Sequence, residues 1–101
     1  MQQIIIQGRQ VREPFYKMLD TNEVVSNSLL EVKSKDELDY IPIVMWGSTA
    51  LDFVKRTKRG DIIKILDSKL TSSSAEINSD RTEYLQLEVY EFNVLEGDSN
   101  E

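Results

Sequence analysis

The segment Asp39-Tyr40-Ile41-Pro42-Ile43-Val44-Met45-Trp46-Gly47 constrains the fold more than any other stretch of this chain. Its side chains alternate in character with the period of two that belongs to a β-strand. Ile41, Ile43 and Met45 fall on one side and form a uniformly apolar face, as a core requires. Tyr40, Pro42, Val44 and Trp46 fall on the other. Two large aromatics therefore share one face. Such a face can stack nucleobases, because every base offers a π-surface whatever its identity. It can equally cover the second side of a buried sheet, since aromatics are common in any strand.

Residues 2–11 read as an earlier strand. Ile4, Ile5 and Ile6 form a continuous apolar run, which predicts burial on both faces. One face suits a barrel interior. The other suits a second subunit, so Ile4, Ile5 and Ile6 are candidate oligomer contacts. Gly8 is expected at a bulge or corner, and Pro14 breaks the strand. Residues 15–21 carry no clear pattern, and Asp20-Thr21-Asn22 reads as a turn. Residues 23–33 form a second strand whose polar interval, Ser26-Asn27-Ser28, predicts a bent or partly exposed middle. Ser34-Lys35-Asp36-Glu37 is a short hairpin connection into the strand already described.

A helix follows. Ser48 or Thr49 is the expected N-cap, and Leu51, Val54 and Ala50 the apolar stripe, with Phe53 beside it. Lys55, Arg56, Lys58 and Arg59 crowd its end, where cations complement the helix dipole, and Gly60 is the expected left-handed cap. The dipole accounts for this basic cluster without invoking a nucleic acid. A fourth strand is expected from Asp61 to about Thr71, then a polar loop over Ser72–Asp80, then a fifth strand from Thr82 to Leu95. In the fifth strand Leu85, Leu87 and Val89 are apolar at odd positions, but Tyr90, Phe92 and Val94 at even ones. That change of phase predicts a β-bulge near 89–90.

Three strands, a helix and two strands define an all-β chain with the element order of the OB-fold. That fold is a five-stranded antiparallel β-barrel with one α-helix between strands 3 and 4. A small sandwich, or another barrel with a helical insert, has the same periodicity. The domain is expected over residues 1–95. Residues 96–101, Glu-Gly-Asp-Ser-Asn-Glu, form an acidic tail expected to be disordered.

The 101 residues suit one domain, and 40% are hydrophobic, enough for a modest core. The chain has no cysteine and no histidine, so thiolate chemistry and the usual neutral-pH general base are both missing. The acidic pair Glu88 and Glu91 has no catalytic partner beside it. The expectation is a protein that is not an enzyme and needs no cofactor or metal. No apolar run approaches a membrane span and the N-terminus does not read as a secretory signal, so a cytoplasmic, membrane-free protein is expected. The net charge of −6 opposes phosphate binding, but acids crowd the C-terminal end and most cations lie before residue 65.

In order and spacing, these segments resemble the bacterial and phage single-stranded-DNA-binding (SSB) family, over nearly the whole chain. Gln3-Ile4-Ile5-Ile6-Gln7-Gly8-Arg9 is similar to the family's opening strand, and Glu13-Pro14 stands where it has Asp-Pro. Val24-Val25-Ser26-Asn27-Ser28-Leu29 resembles its second strand and Tyr40–Gly47 its aromatic-led third. Val54–Gly60 resembles its Tyr-Leu-Lys-Lys-Gly helix end, and Asp67-Ser68-Lys69-Leu70 its Glu-Gly-Arg-Leu. The resemblance implies that Tyr40 and Trp46 stack on bases. Arg9, Lys33, Lys35 and Lys69 are the candidate phosphate partners. It also implies self-association as a dimer or tetramer, a bacterial cell or a phage as origin, and work in DNA replication, recombination or repair beside replication proteins.

The chain departs from the family pattern in several places. The connection before Tyr40 is short and lacks an aromatic. Leu70-Thr71-Ser72-Ser73-Ser74-Ala75 lacks the usual basic and aromatic residues, and Pro42 stands where a basic residue is common. The short, tail-less form also resembles the primosomal replication protein B branch, whose members load other proteins onto DNA. Two functions follow as expectations: sequence-non-specific binding of single-stranded DNA, or an OB-fold interaction adaptor with weak or no DNA binding.

Overall fold

The computed structural model describes residues 5–95. Its elements are β1 (Ile6–Gln10), β2 (Lys17–Met18), β3 (Val24–Ser34), β4 (Glu37–Trp46), α1 (Gly47–Arg56), β5 (Ile62–Ile77) and β6 (Asp80–Val94). The sheet runs β1-β5-β6-β4-β3-β2, and β1 also pairs with β3. That extra pairing closes a five-stranded barrel, with β2 as an appended edge. Every pairing is antiparallel except β4–β6, which runs parallel at Ile43↔Leu87 and Val44↔Glu88. The helix lies between the third and fourth barrel strands. This is the all-β OB-fold that the element order predicts.

β1 closes the barrel by gripping two strands. Ile6–Arg9 pair with Ile65–Ile62 of β5, while Arg9 and Gln10 pair with Glu31 and Leu30 of β3. Gly8 makes this possible. A Cβ there would stand 2.9 Å from the Glu31 carbonyl oxygen and 3.0 Å from Val32 Cγ2, closer than real side chains tolerate. The glycine serves a close approach of backbones.

The core holds Leu30, Ile43, Met45, Ala50, Phe53, Ile63, Ile65, Leu87, Val89 and Phe92, with Ile6 and Ile41 packed against it. The alternation of β4 is thus realised, with Ile41, Ile43 and Met45 inward. Phe53 brings α1 onto the barrel end and meets Phe92 edge to face, centroids 5.3 Å apart. The phase change in β6 is realised as well. The register passes from Ile65↔Phe92 through Asp67↔Glu91 to Ser68↔Val89, stepping over Leu66 and Tyr90. That step carries the inward set from Leu87 and Val89 to Phe92.

Several expectations are corrected. Ser26 and Ser28 are buried, with only Asn27 between them partly exposed, because hydrogen-bond partners elsewhere in the chain satisfy their hydroxyls. Ser28 Oγ donates to Gln10 Oε1 at 2.6 Å, Gln10 Nε2 donates to Thr57 Oγ1 at 2.8 Å, and Ser26 Oγ donates to the Phe15 carbonyl at 2.6 Å. The helix starts at Gly47 with Trp46 as N-cap and no side-chain cap. It buries Ala50 and Phe53 and leaves Leu51 exposed. It ends at Arg56, where the Thr57 amide and hydroxyl both bond the Phe53 carbonyl, so Gly60 sits in the following turn at φ +95°. Residues 72–77 are strand, not loop. β5 and β6 continue to a two-residue turn, Asn78-Ser79, with positive φ at both positions, the geometry of tight hairpins. Within residues 15–21, where the sequence carries no clear pattern, Lys17–Met18 form an edge strand on β3.

Candidate nucleic-acid interface

Pairing with β3 runs without a register shift from Ser34↔Glu37 to Val25↔Trp46, so the outward residues of both strands share one face. On β4 these are Leu38, Tyr40, Pro42, Val44 and Trp46. On β3 their partners are Lys33, Glu31, Leu29, Asn27 and Val25. Tyr40 is 53% exposed and Trp46 40%, whereas Val44 and Val25 are buried. The aromatics stand out from a filled surface, about 20 Å apart along the strand at ~3.3 Å per residue.

Pro42 explains how Tyr40 stays open. Proline cannot donate to a ladder, and it stands directly before the two residues that pair with β6. Below that point β4 pairs only with β3. Because β4 and β6 are parallel, the β3–β4 and β5–β6 hairpins leave the barrel in the same direction. Each reaches roughly 20 Å beyond the shared pairs. Tyr40, Lys33 and Lys35 lie on the first arm. Lys69 lies at the base of the second, opposite Glu88 and on the same outward face.

Electrostatics on this face are mixed. The Tyr40 hydroxyl donates to Glu31 Oε2 at 3.1 Å. That hydrogen bond, then the carboxylate's charge, raises the Tyr40 phenol above its ordinary value. Burial raises Tyr90 too, followed by the nearby Glu88 and Asp67 charges. Over residues 31–40 four carboxylates (Glu31, Asp36, Glu37, Asp39) accompany two lysines (Lys33, Lys35). Arg9 lies across β3 from Tyr40, with Glu31 between them, and its Nη1 donates to the Gly60 carbonyl at 2.9 Å. Lys35 sits in the hairpin turn at φ +56°.

The register also reveals a cation that sequence reasoning missed. Lys17 pairs with Val25, which pairs with Trp46, so Lys17, Val25 and Trp46 form one outward row. Phe15, Tyr16 and Met18 beside it are exposed. The signal for β2 was a short run ending at the Asp20-Thr21-Asn22 turn, too brief to stand alone. Of the proposed oligomer contacts, Ile5 is 56% exposed, Ile6 packs against the core and Ile4 lies outside the described residues.

At the barrel's helix end, Arg56 pairs with Asp52 at 2.9 Å and its guanidinium lies 4.8 Å from the Phe92 ring centroid. The basic helix end is thus partly spent on the chain's own groups. Among the described residues there is no cluster of three or more acidic side chains that could hold a metal. Among them too, no helix is long and apolar enough to cross a membrane.

Fold and face together define a class: a small OB-fold barrel with exposed aromatics on the outer face of its central hairpin. No protein-family model matches the chain. It is similar to Single-stranded DNA-binding protein 1 of Clostridium acetobutylicum, with 25% identity over 73 residues, covering 64% of this chain and 66% of that protein. The chain therefore spans just under two thirds of that relative's length.

Proposed function

We propose that this protein binds single-stranded DNA by stacking bases on Tyr40 and Trp46, without catalysis and with tolerance for any base sequence. The observation that carries the reading is the shared, exposed face of these two aromatics, fixed by an unbroken β3–β4 register. Similarity to a single-stranded DNA-binding protein supports it. Lys17, Lys33, Lys35, Lys69 and Arg9 are the phosphate partners. Work in replication, recombination or repair belongs to the same proposal, in a bacterial cytoplasm or a phage-infected cell, beside replication proteins.

Few cations and several carboxylates leave stacking as the main source of affinity. Anisotropy of a labelled oligo-dT tests this. Binding at low salt is expected to weaken as salt rises. The Lys17→Ala variant should flatten the log–log slope by about 0.7, the contribution of one phosphate contact on a single strand. Absence of binding at low salt rejects the reading.

Self-association through the exposed Ile5, just before β1, is part of the proposal. Sedimentation equilibrium is expected to show a dimer or tetramer. A monomer at every concentration, or a dimer unaffected by Ile5→Asp, rejects that part.

A specific observation favours a second reading. Leu70 and Leu85, 60% and 59% exposed, lie on the β5–β6 arm on the face that carries Leu87 into the core. An apolar arm suits an adaptor that docks a protein. Partner binding without DNA affinity would favour it.

A further inference from the structure

The face that stacks bases also holds a carboxylate at the rim of one stacking ring. Glu31 and Tyr40 are direct cross-strand partners, and the tyrosine hydroxyl holds Glu31 Oε2 at 3.1 Å. The bond fixes the carboxylate at the outer end of the ring, at the perimeter where an offset-stacked base would place its edge. A carboxylate accepts at two oxygens with about four lone-pair sites, so one tyrosine proton leaves most of that capacity unused. In a protein meant only to hold phosphates, an acid in this place lowers affinity. It gains a purpose if it reads the base.

The four bases differ in what they offer it. Guanine presents N1–H and N2–H side by side on its Watson–Crick edge, matched to the two oxygens of one carboxylate. Adenine and cytosine each present one amino group beside an acceptor. Thymine presents a single N–H between two carbonyl oxygens, which a carboxylate repels. Edge recognition of an unpaired base on an aromatic platform is a general mode of single-strand readout.

We propose that Glu31 turns the Tyr40 position into a guanine-preferring step within an otherwise sequence-tolerant track. This rests on the reading that bases stack on Tyr40. Tyr40 supplies the platform and Glu31 accepts the two guanine protons as hydrogen bonds, with no bond made or broken. The hydroxyl of Tyr40 is a positioning group, because it holds the carboxylate at the rim.

The test compares equal-length d(TTG), d(TTA) and d(T) repeats at one salt concentration. Adenine controls for the stronger stacking of purines. The wild-type protein is expected to bind d(TTG) about tenfold tighter than d(TTA), within the range of a bidentate base contact. Glu31→Gln and Glu31→Ala should bring that ratio close to one while tightening d(T) binding, because a charge facing the phosphates is gone. Tyr40→Phe keeps the ring but releases the carboxylate, and should lower the d(TTG)-to-d(TTA) ratio towards one. A misfolded variant would lose all three ligands together, so a changed ratio with retained d(T) binding reports the carboxylate itself. Equal binding of d(TTG) and d(TTA) by the wild type, or a ratio that survives in both Glu31 variants, overturns the inference and leaves the DNA-binding reading standing. Failure to bind any repeat overturns both.

Discussion

Tyr40 illustrates how one hydrogen bond couples two residues with opposed electrostatic roles. Its phenol donates to Glu31, and both the bond and the carboxylate's charge favour the neutral hydroxyl. A raised folded value means the contact stabilises the fold below the ordinary tyrosine value of about 10, and that contribution is lost as pH rises through the folded value. An ultraviolet titration of phenolate absorbance checks this. Tyr40→Phe should remove a step lying above pH ~10, and Glu31→Gln should move that step down towards ~10. A Tyr40 step at or below the ordinary value in the wild type contradicts the geometry. At this scale the outward pair Tyr40 and Trp46 was legible in the sequence, because the alternation of β4 needs only a period of two. Lys17 was not, because its place beside Trp46 depends on a two-strand register that no local pattern records.

Among the elements, α1 depends on the strands around it for its end. Gln10 of β1 sits fully buried between Ser28 of β3 and Thr57 at the helix terminus, bonded to both. Its backbone also pairs with the Gly60 amide and the Asp61 carbonyl. The polar interval of β3 is therefore a lock between strand, strand and helix. Read locally, Ser26-Asn27-Ser28 resembles an exposed stretch, since buried hydroxyls are tolerated only with partners and these partners are distant in sequence. Gln10→Ala should leave the Ser28 hydroxyl without its acceptor, while Thr57 keeps its bond to the Phe53 carbonyl, and cost about 1–3 kcal/mol for the one unsatisfied group. Urea denaturation measures it, and a loss below half a kcal/mol would show that the lock carries no weight. The β5–β6 arm makes the opposite point. Its serine-rich stretch has weak strand propensity, and pairing along the whole hairpin overrides it. The bulge at Leu66 and Tyr90 was legible, because a phase change leaves a mark in one strand alone.

For the molecule as a whole, two hairpin arms leave one barrel in the same direction, and the aromatic face runs from Trp46 on the barrel to Tyr40 on the first arm. The element order predicts the barrel, but the parallel β4–β6 pair that aims both arms one way appears only once the strands are assembled. The net charge of −6 sets the scale of what this surface can do. With acids interleaved among the lysines, long-range attraction to phosphate is small and contact must come from stacking. The most direct test uses the chain's single tryptophan. Trp46 fluorescence, titrated with oligo-dT at low salt and again at high salt, should be strongly quenched at low salt, and the titration should shift to higher oligo-dT concentration at high salt with the quench retained at saturation. An unquenched Trp46, with no complex on a native gel, would contradict the account.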